Sequence, residues 1–279
     1  MKLTTLIIFS ISSLSVFAKT TVGPENGTLM IVGGGSYRDS GILEKFIELA
    51  GGSDAKFVFV PTASGRDFTS NEPELPTSWQ ALELKNVAIL HTRDRAIADS
   101  DEFVEPLRDA DAVWFSGGRQ WRLVDAYKDT KAEKMFRKVL DRGGIIGGSS
   151  AGATIQGSYL ARGDSSGNQI MMGDHEVGFG YLKDVAIDQH VLARNRHFDL
   201  FTILKKRPEL LGIGIDESTA VIVNGDTFEV FGKSFVLIYD GTFWSREGWE
   251  KKELPEADSL FYFLRPGDRY DLKTRRVIQ

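Results

Sequence analysis

Short apolar runs alternate with longer segments in which apolar residues recur every three or four positions through the first half of the chain. The runs predict strands at residues 28–32, 57–60, 87–90, 112–115 and 145–146. The periodic segments predict helices at residues 42–50, 79–84, 99–107, 121–127 and 132–140. Almost fully apolar strands that alternate with amphipathic helices are typical of a parallel sheet covered on both faces. This half of the chain therefore predicts an α/β fold, in which ligands bind beyond the carboxyl ends of the strands.

The pattern changes after residue 155, where a loop is predicted at 163–173 and a helix at 198–206. Further strands are predicted at residues 185–189, 213–216, 219–223, 227–230 and 235–239. Beyond residue 240 the chain is polar and no element is predicted. Because no repeat and no long linker interrupts the chain, we expect residues 19–279 to form one domain.

The first residues have the pattern of a signal peptide. Lys2 is followed by an apolar run to Phe17 that serines and threonines dilute, and small residues surround a cleavage point after Ala18. The run is too short and too rich in serine to favour a membrane anchor. We therefore expect residues 1–18 to be removed and the mature protein to be secreted or periplasmic, without a membrane segment.

Composition narrows the function further. The net charge is −5 and no long basic stretch is present, which disfavours nucleic-acid binding. The absence of cysteine excludes disulfides, cysteine nucleophiles and thiolate metal sites. The four histidines lack metal-ligand spacing, and Gly33-Gly34-Gly35 lacks both the dinucleotide fingerprint and a Walker lysine. We expect no metal and no cofactor.

The stretch from Gly143 to Thr154 contains the pattern G-x-S-x-G, centred on Ser150. This spacing is typical of a nucleophile elbow, in which a strand turns sharply into a helix and exposes one serine. The N–H of Ala151 would then point toward a developing oxyanion. Ser149 is a weaker candidate nucleophile. The alternative is a glycine-rich connection that has no catalytic role.

A serine nucleophile needs a base and an orienting acid. His190 directly follows a predicted strand and is the best placed of the four histidines, although a histidine there could simply cap the strand. Asp216 and Glu217 end another apolar strand, and either could accept a hydrogen bond from the imidazole or only cap a turn. Arginines nearby suit recognition of a carboxylate, but they could also belong to a solvated helix start.

Separate motifs resemble the cyanophycinase and dipeptidase E family of serine peptidases. They are Gly148-Ser149-Ser150-Ala151-Gly152-Ala153, Asp188-Gln189-His190 with Arg194 and Arg196, Gly212-Ile213-Gly214-Ile215-Asp216-Glu217 and Trp114-Phe115-Ser116-Gly117-Gly118-Arg119-Gln120. The similarity spans about residues 28 to 240. It implies a three-layer sandwich like that of class I glutamine amidotransferases, with a mostly parallel sheet and helices on both faces. It also implies that a homodimer can form.

The resemblance implies a role for each matched residue. Ser150 would be the nucleophile, His190 the general base and Glu217 the acid that orients the imidazole. The N–H groups of Gly118 and Ala151 would form the oxyanion hole. The pocket for an aspartyl residue would be lined by Gln120, Asp188, Gln189, Arg194 and Arg196. The implied reaction is hydrolysis through an acyl-enzyme, on cyanophycin with release of β-aspartyl-arginine, or on related β-aspartyl peptides.

Two positions depart from the cyanophycinase pattern. This chain has Arg119 where the pattern has aspartate, and Asp199 where it has a third arginine.

The alternative functions are a dipeptidase E-like aspartyl dipeptidase, an esterase of the α/β-hydrolase type and a non-catalytic binding protein. The order of histidine before acid disfavours the esterase, and the complete triad disfavours the binding protein.

Overall fold

The protein is described by a computed structural model over residues 21–36, 39–66, 74–251, 253–256 and 259–279. The predicted signal peptide, residues 1–18, and most of the polar segment after Arg66 lie outside these ranges. Within them, no helix is both long and apolar enough to cross a lipid bilayer.

The described residues form fourteen strands and seven α-helices. The strands are β1 (Thr28–Val32), β2 (Lys56–Val60), β3 (Asn86–Ile89), β4 (Ala112–Phe115), β5 (Ile145–Ser149), β6 (Gly157–Tyr159), β7 (Leu182–Gln189), β8 (Leu211–Ile215), β9 (Thr219–Asn224), β10 (Thr227–Gly232), β11 (Val236–Tyr239), β12 (Tyr262–Leu264), β13 (Arg269–Asp271) and β14 (Arg276–Ile278). The helices are α1 (Ile42–Ala50), α2 (Thr77–Gln80), α3 (Arg95–Ala98), α4 (Trp121–Tyr127), α5 (Lys131–Asp141), α6 (Ala151–Thr154) and α7 (Phe201–Leu204), with a 3₁₀ turn at Glu105–Leu107.

The larger sheet has nine strands in the order β14-β13-β10-β9-β1-β5-β4-β2-β3. The five strands from β1 to β3 in that order are parallel to one another, as predicted, whereas β9 pairs antiparallel with β1. Because parallel strands end at one edge of a sheet, the turns after β1, β4 and β5 lie together there.

A second sheet has five strands in the order β12-β11-β8-β7-β6. Strands β7, β8 and β11 were predicted, but the sequence did not predict that they leave the larger sheet. Apolar strand patterns indicate burial and not the neighbour with which a strand pairs. Strands β6, β12, β13 and β14 were not predicted, because each has only three residues.

Side chains of the parallel strands alternate between two cores. On β2, Phe57 and Phe59 pack with α1 on one face, while Val58 and Val60 face the core that α4, α5 and the second sheet share. The same alternation on β4 sends Trp114 to the first core and Phe115 to the second. The predicted α/β sandwich, with layers on both faces of the sheet, is confirmed, and the second sheet forms part of one layer.

Several helix predictions were too long. The segment 99–107 has only the 3₁₀ turn at Glu105–Leu107, because Pro106 cannot supply the N–H that a longer helix needs. The segment 198–206 is reduced to α7, and α2 begins two residues before the predicted range of 79–84 and ends inside it, at Gln80. Helix α3, whose N-terminal N–H of Ala96 is capped by Asp94, was not predicted.

Candidate active site

Ser150 lies on a strained turn between β5 and α6. Its φ and ψ of 55° and −109° are unfavourable for a non-glycine residue, and such strain costs about 1–3 kcal/mol. The turn is held by a hydrogen bond from the N–H of Ser150 to the carbonyl of Val32, at 3.0 Å. A Cβ on Gly148 would lie 2.3 Å from the carbonyl oxygen of Gly152, so the turn requires both small residues. This geometry is that of a nucleophile elbow.

His190 follows β7 of the second sheet and reaches across to Ser150. Its Nε2 lies 2.9 Å from the Oγ of Ser150, and its backbone N–H donates to the carbonyl of Gly33 at 3.0 Å. The hydrogen bond to Gly33 joins the end of β7 to the loop after β1. The position of the base is therefore fixed by contacts between the two sheets.

Glu217 lies on the turn that leads from β8 in the second sheet to β9 in the larger one. Its Oε1 is 2.6 Å from the Nδ1 of His190. The neighbouring Asp216 points elsewhere, since its Oδ1 accepts hydrogen bonds from the N–H groups of Leu192 and Ala193. The sequence did not decide which of these two acids contacts His190. In the structure Glu217 contacts the imidazole, and Asp216 binds the loop that follows His190.

Burial controls the protonation of this imidazole. The side chain of His190 is 6% exposed. Burial lowers the pKa of His190, and the charges of Arg194 and Arg196 lower it further, while Glu217 opposes the shift. At neutral pH the imidazole is therefore neutral, with Nε2 free to accept the hydroxyl proton of Ser150 when Nδ1–H donates to Glu217.

Gly34 supports one face of the imidazole. A Cβ at this position would lie only 2.2 Å from the Cε1 of His190, and its φ of +117° also favours glycine. The loop after β1 therefore approaches the ring with bare backbone, and any side chain there would displace the base.

The N–H groups of Gly118 and Ala151 stay the predicted donors of the oxyanion hole. Among the described residues, neither group donates a hydrogen bond. A Cβ on Gly117 would lie 4.0 Å from the Oγ of Ser150, so the glycine loop after β4 borders the nucleophile. Ala151 is the first residue of α6, directly after Ser150.

The five residues predicted to line an aspartyl pocket have different environments. Gln120 and Asp188 are fully buried, and Gln189 is 2% exposed. Arg196 is also buried, and its Nη1 donates to the Oε1 of Gln189 at 3.2 Å. Of the five, only Arg194 has an exposed side chain, so four are buried and one guanidinium is open to solvent.

Arg162 was missed by the sequence analysis. It is fully buried, and it donates from Nε and Nη2 to the two carboxylate oxygens of Asp188 at 2.8 and 2.9 Å. It also donates to Asp199 at 2.5 Å and to the carbonyl of Asn168 at 3.0 Å. Burial opposes the charge, but the hydrogen bonds to the two aspartates outweigh it and raise the pKa of Arg162. No local pattern marks Arg162, because its partners Asp188 and Asp199 are 26 and 37 positions away.

Two of the three other histidines have hydrogen-bond partners outside the triad. His175 lies between the carboxylates of Asp125 and Asp174, with both distances 2.8 Å, and His91 pairs with the hydroxyl of Thr62. In the described part of the chain, no group of three or more histidine or acidic side chains is arranged to hold a metal ion.

Two clefts flank the triad at the carboxyl edge of the larger sheet. One has a volume of about 560 Å³ and is lined in part by Ser64, Arg66 and Gly117. The other has a volume of about 570 Å³ and includes Gly35, beside Glu217. Neither cleft is lined by a residue of the triad, and each reaches it through a neighbouring glycine, Gly117 beside Ser150 or Gly35 beside Glu217.

Comparisons with known proteins agree with this geometry. A sequence model described as Peptidase family S51 matches residues 29–231. The chain belongs to this family. The cyanophycinase of Geminocystis herdmanii is 33% identical over 260 residues, covering 89% of this chain and 95% of that protein. The cyanophycinase of Thermosynechococcus vestitus is 31% identical over 261 residues, covering 90% and 81%.

A solved structure is similar as well. The crystal structure of a peptidase from an acI-B1 actinobacterium matches with a TM-score of 0.62 and 26% identity, covering 89% of this chain and 98% of that one. The family confirms that the protein is a serine-type peptidase, and the solved structure confirms the fold class that the motifs predicted.

Proposed function

We propose that this enzyme hydrolyses the bond that follows an aspartyl residue in cyanophycin or a related β-aspartyl peptide, through an acyl-enzyme at Ser150. The observation that supports this most strongly is the continuous hydrogen-bonded line from Glu217 through His190 to Ser150, at 2.6 and 2.9 Å. The curated relatives named cyanophycinase support the substrate class.

In this mechanism Ser150 Oγ attacks the carbonyl carbon of the aspartyl residue while His190 Nε2 accepts the hydroxyl proton. Glu217 stabilises the imidazolium that forms. The N–H groups of Gly118 and Ala151 donate to the oxyanion, whose charge they stabilise more strongly than the neutral carbonyl. His190 then gives its proton to the leaving amine. A water molecule, deprotonated by His190, finally hydrolyses the ester and regenerates Ser150.

Recognition of the aspartyl residue would come from the arginines after His190. Arg194 is exposed beside the base, and a guanidinium can bind a carboxylate with two parallel hydrogen bonds. Arg196 and Gln189 would hold the floor of that pocket through their mutual hydrogen bond at 3.2 Å.

The test is incubation of the purified protein with cyanophycin and with α- and β-aspartyl dipeptides, read by mass spectrometry. We expect release of aspartyl products by the native enzyme and none by Ser150→Ala, with Ser149→Ala as the matched control that retains activity. Cleavage of N-terminal aspartate from dipeptides alone would favour a dipeptidase E-like activity. Equal turnover by native enzyme and Ser150→Ala would contradict the proposal.

We also propose that the protein is exported after removal of residues 1–18, on the basis of the apolar run that ends at Ala18. The intact mass of the protein recovered from periplasm or medium tests this directly. We expect the mass of a chain that begins at Lys19. Recovery of the unprocessed chain in the cytosol would contradict export.

A further inference from the structure

Arginine side chains surround the loop that faces the predicted oxyanion hole. The Nη1 of Arg122 donates to the carbonyl oxygen of Ala63 at 3.1 Å, and the backbone N–H of Arg119 donates to the same oxygen at 2.9 Å. That oxygen touches Gly118, because a Cβ on Gly118 would lie 2.0 Å from it. Arg119 and Arg122 are therefore both bound to a carbonyl oxygen that contacts Gly118, a predicted donor of the oxyanion hole.

Two more arginines lie on the solvent side of this loop. The Nη2 of Arg93 donates to the carbonyls of Ser64 and Arg66, both at 3.0 Å. Arg66 lines the cleft of about 560 Å³ that also reaches Gly117, and Glu74 is an acid on the same lining. The side chains of Arg66 and Arg93 are exposed.

We define the arginine cluster as Arg66, Arg93, Arg119 and Arg122. Among the described residues, none of its guanidinium groups forms an ion pair with a carboxylate: Arg93, Arg119 and Arg122 donate to carbonyl oxygens, and Arg122 also lies over the ring of Trp121. Burial and then the charges of Arg93 and Arg119 lower the pKa of Arg122, so these groups repel one another. Positive charge beside a cleft attracts anions.

We propose that the arginine cluster is a subsite for an anionic group of the substrate, so that the enzyme prefers peptides with an acidic residue beside the scissile aspartyl residue over peptides with arginine there. This inference rests on the proposed function and, within it, favours acidic β-aspartyl peptides over the arginine-bearing cyanophycin. Its physical reason is that a carboxylate gains hydrogen bonds and attraction from guanidinium groups that form no ion pair with a described carboxylate, whereas a cationic side chain is repelled.

The first experiment compares three aspartyl peptides that differ only in the residue after the aspartyl group: Glu, Gln or Arg. We expect kcat/KM for the Glu peptide to exceed that for the Arg peptide by roughly tenfold at low salt, with Gln between them. The ratio should fall in high salt, because ions screen exposed charges.

The second experiment reverses one charge. Arg66→Glu should abolish or invert the ratio of kcat/KM for the Glu peptide to kcat/KM for the Gln peptide. Arg269→Glu is the matched control, since it makes the same charge change on exposed β13, away from the triad in the larger sheet. Thermal melting of both variants checks that each is folded.

Binding of the same peptides to Ser150→Ala, measured by calorimetry, separates this inference from the proposed function. Hydrolysis without a charge preference, or with a preference for Arg, overturns the subsite and leaves the proposed function standing. Tighter binding of the Glu peptide without turnover by native enzyme supports the subsite and overturns the hydrolysis. If the native enzyme turns over none of the peptides and Ser150→Ala binds none of them preferentially, both the subsite and the proposed function are overturned.

Discussion

The larger sheet holds Ser150 by close packing of backbone, whereas the strand of the second sheet that leads to His190 contains a buried ion pair. Around Ser150 the contacts are the carbonyl of Val32 and glycines that leave no space for a side chain. Two residues before His190, the Asp188 carboxylate is paired in the interior with Arg162. The two parts of the site should therefore respond to different substitutions. Added volume should disturb the part packed against backbone, and removal of a charge should disturb the part that contains the ion pair.

The largest effect, on activity, is expected at His190, where the two sheets meet. His190→Ala removes the base that links Ser150 to Glu217, and we expect kcat/KM to fall by about 10⁴-fold or more. The melting temperature should change little. Steady-state kinetics on an aspartyl peptide measures this, and His91→Ala serves as a control histidine outside the triad. Retention of a tenth of native activity would show that another group acts as the base.

The next-largest effect is expected on stability, when Asp188 loses its buried partner Arg162. Arg162→Met leaves Asp188 buried without its partner, and we expect the free energy of unfolding to fall by about 3–5 kcal/mol. Arg142→Met is the matched control: among the described residues Arg142 donates to the carbonyls of Leu107 and Ala110, and its loss should cost about 1 kcal/mol. Urea unfolding compares the two, and equal losses would contradict a special role for the buried pair.

Adding volume beside the imidazole should reduce activity more than stability. In Gly34→Ala the new Cβ would meet the ring of His190, and a displacement of about 1 Å should lower kcat/KM by about 10²-fold. Gly51→Ala shares the strain of a positive φ, +105°, but its Cβ would meet nothing within 4 Å. If both variants keep native kinetics, the close approach to the ring does not position the base.

The smallest effect concerns pH. The pKa of His190 is lowered from 6.5, so kcat/KM should rise with pH along an acid limb centred below 6.5 as the imidazole loses its proton. Arg194→Gln removes a positive charge that contributes to this lowering, so the pKa of His190 should rise and the limb should move to higher pH. The shift should shrink in high salt. Movement toward lower pH would contradict the assignment.

The sequence predicted the part of the site that depends on local pattern. The elbow at Ser150 follows from its glycine spacing and from an apolar strand, and the rule for parallel sheets places it beside the turn at Gly117. The pairing of His190 with Glu217 was suggested by resemblance, because neither residue reveals from local sequence that the second sheet brings it to this edge. Arg162 was missed for the same reason, since a buried ion pair depends on tertiary contacts.

One difference concerns Asp188, which resemblance placed on the wall of the aspartyl pocket. In the structure its carboxylate is fully buried against Arg162 and the N–H of Gln189. Burial is a property of the folded surroundings, so the sequence motif could not distinguish a side chain that contacts substrate from one that supports its neighbours. Contact between Asp188 and substrate stays a prediction.

The most direct test of the triad is covalent labelling with a fluorophosphonate, followed by peptide mapping. The account predicts one adduct, on Ser150, with a labelling rate that follows the acid limb of kcat/KM and falls strongly in His190→Ala. An adduct on Ser149, or no adduct on the folded and active enzyme, would contradict it.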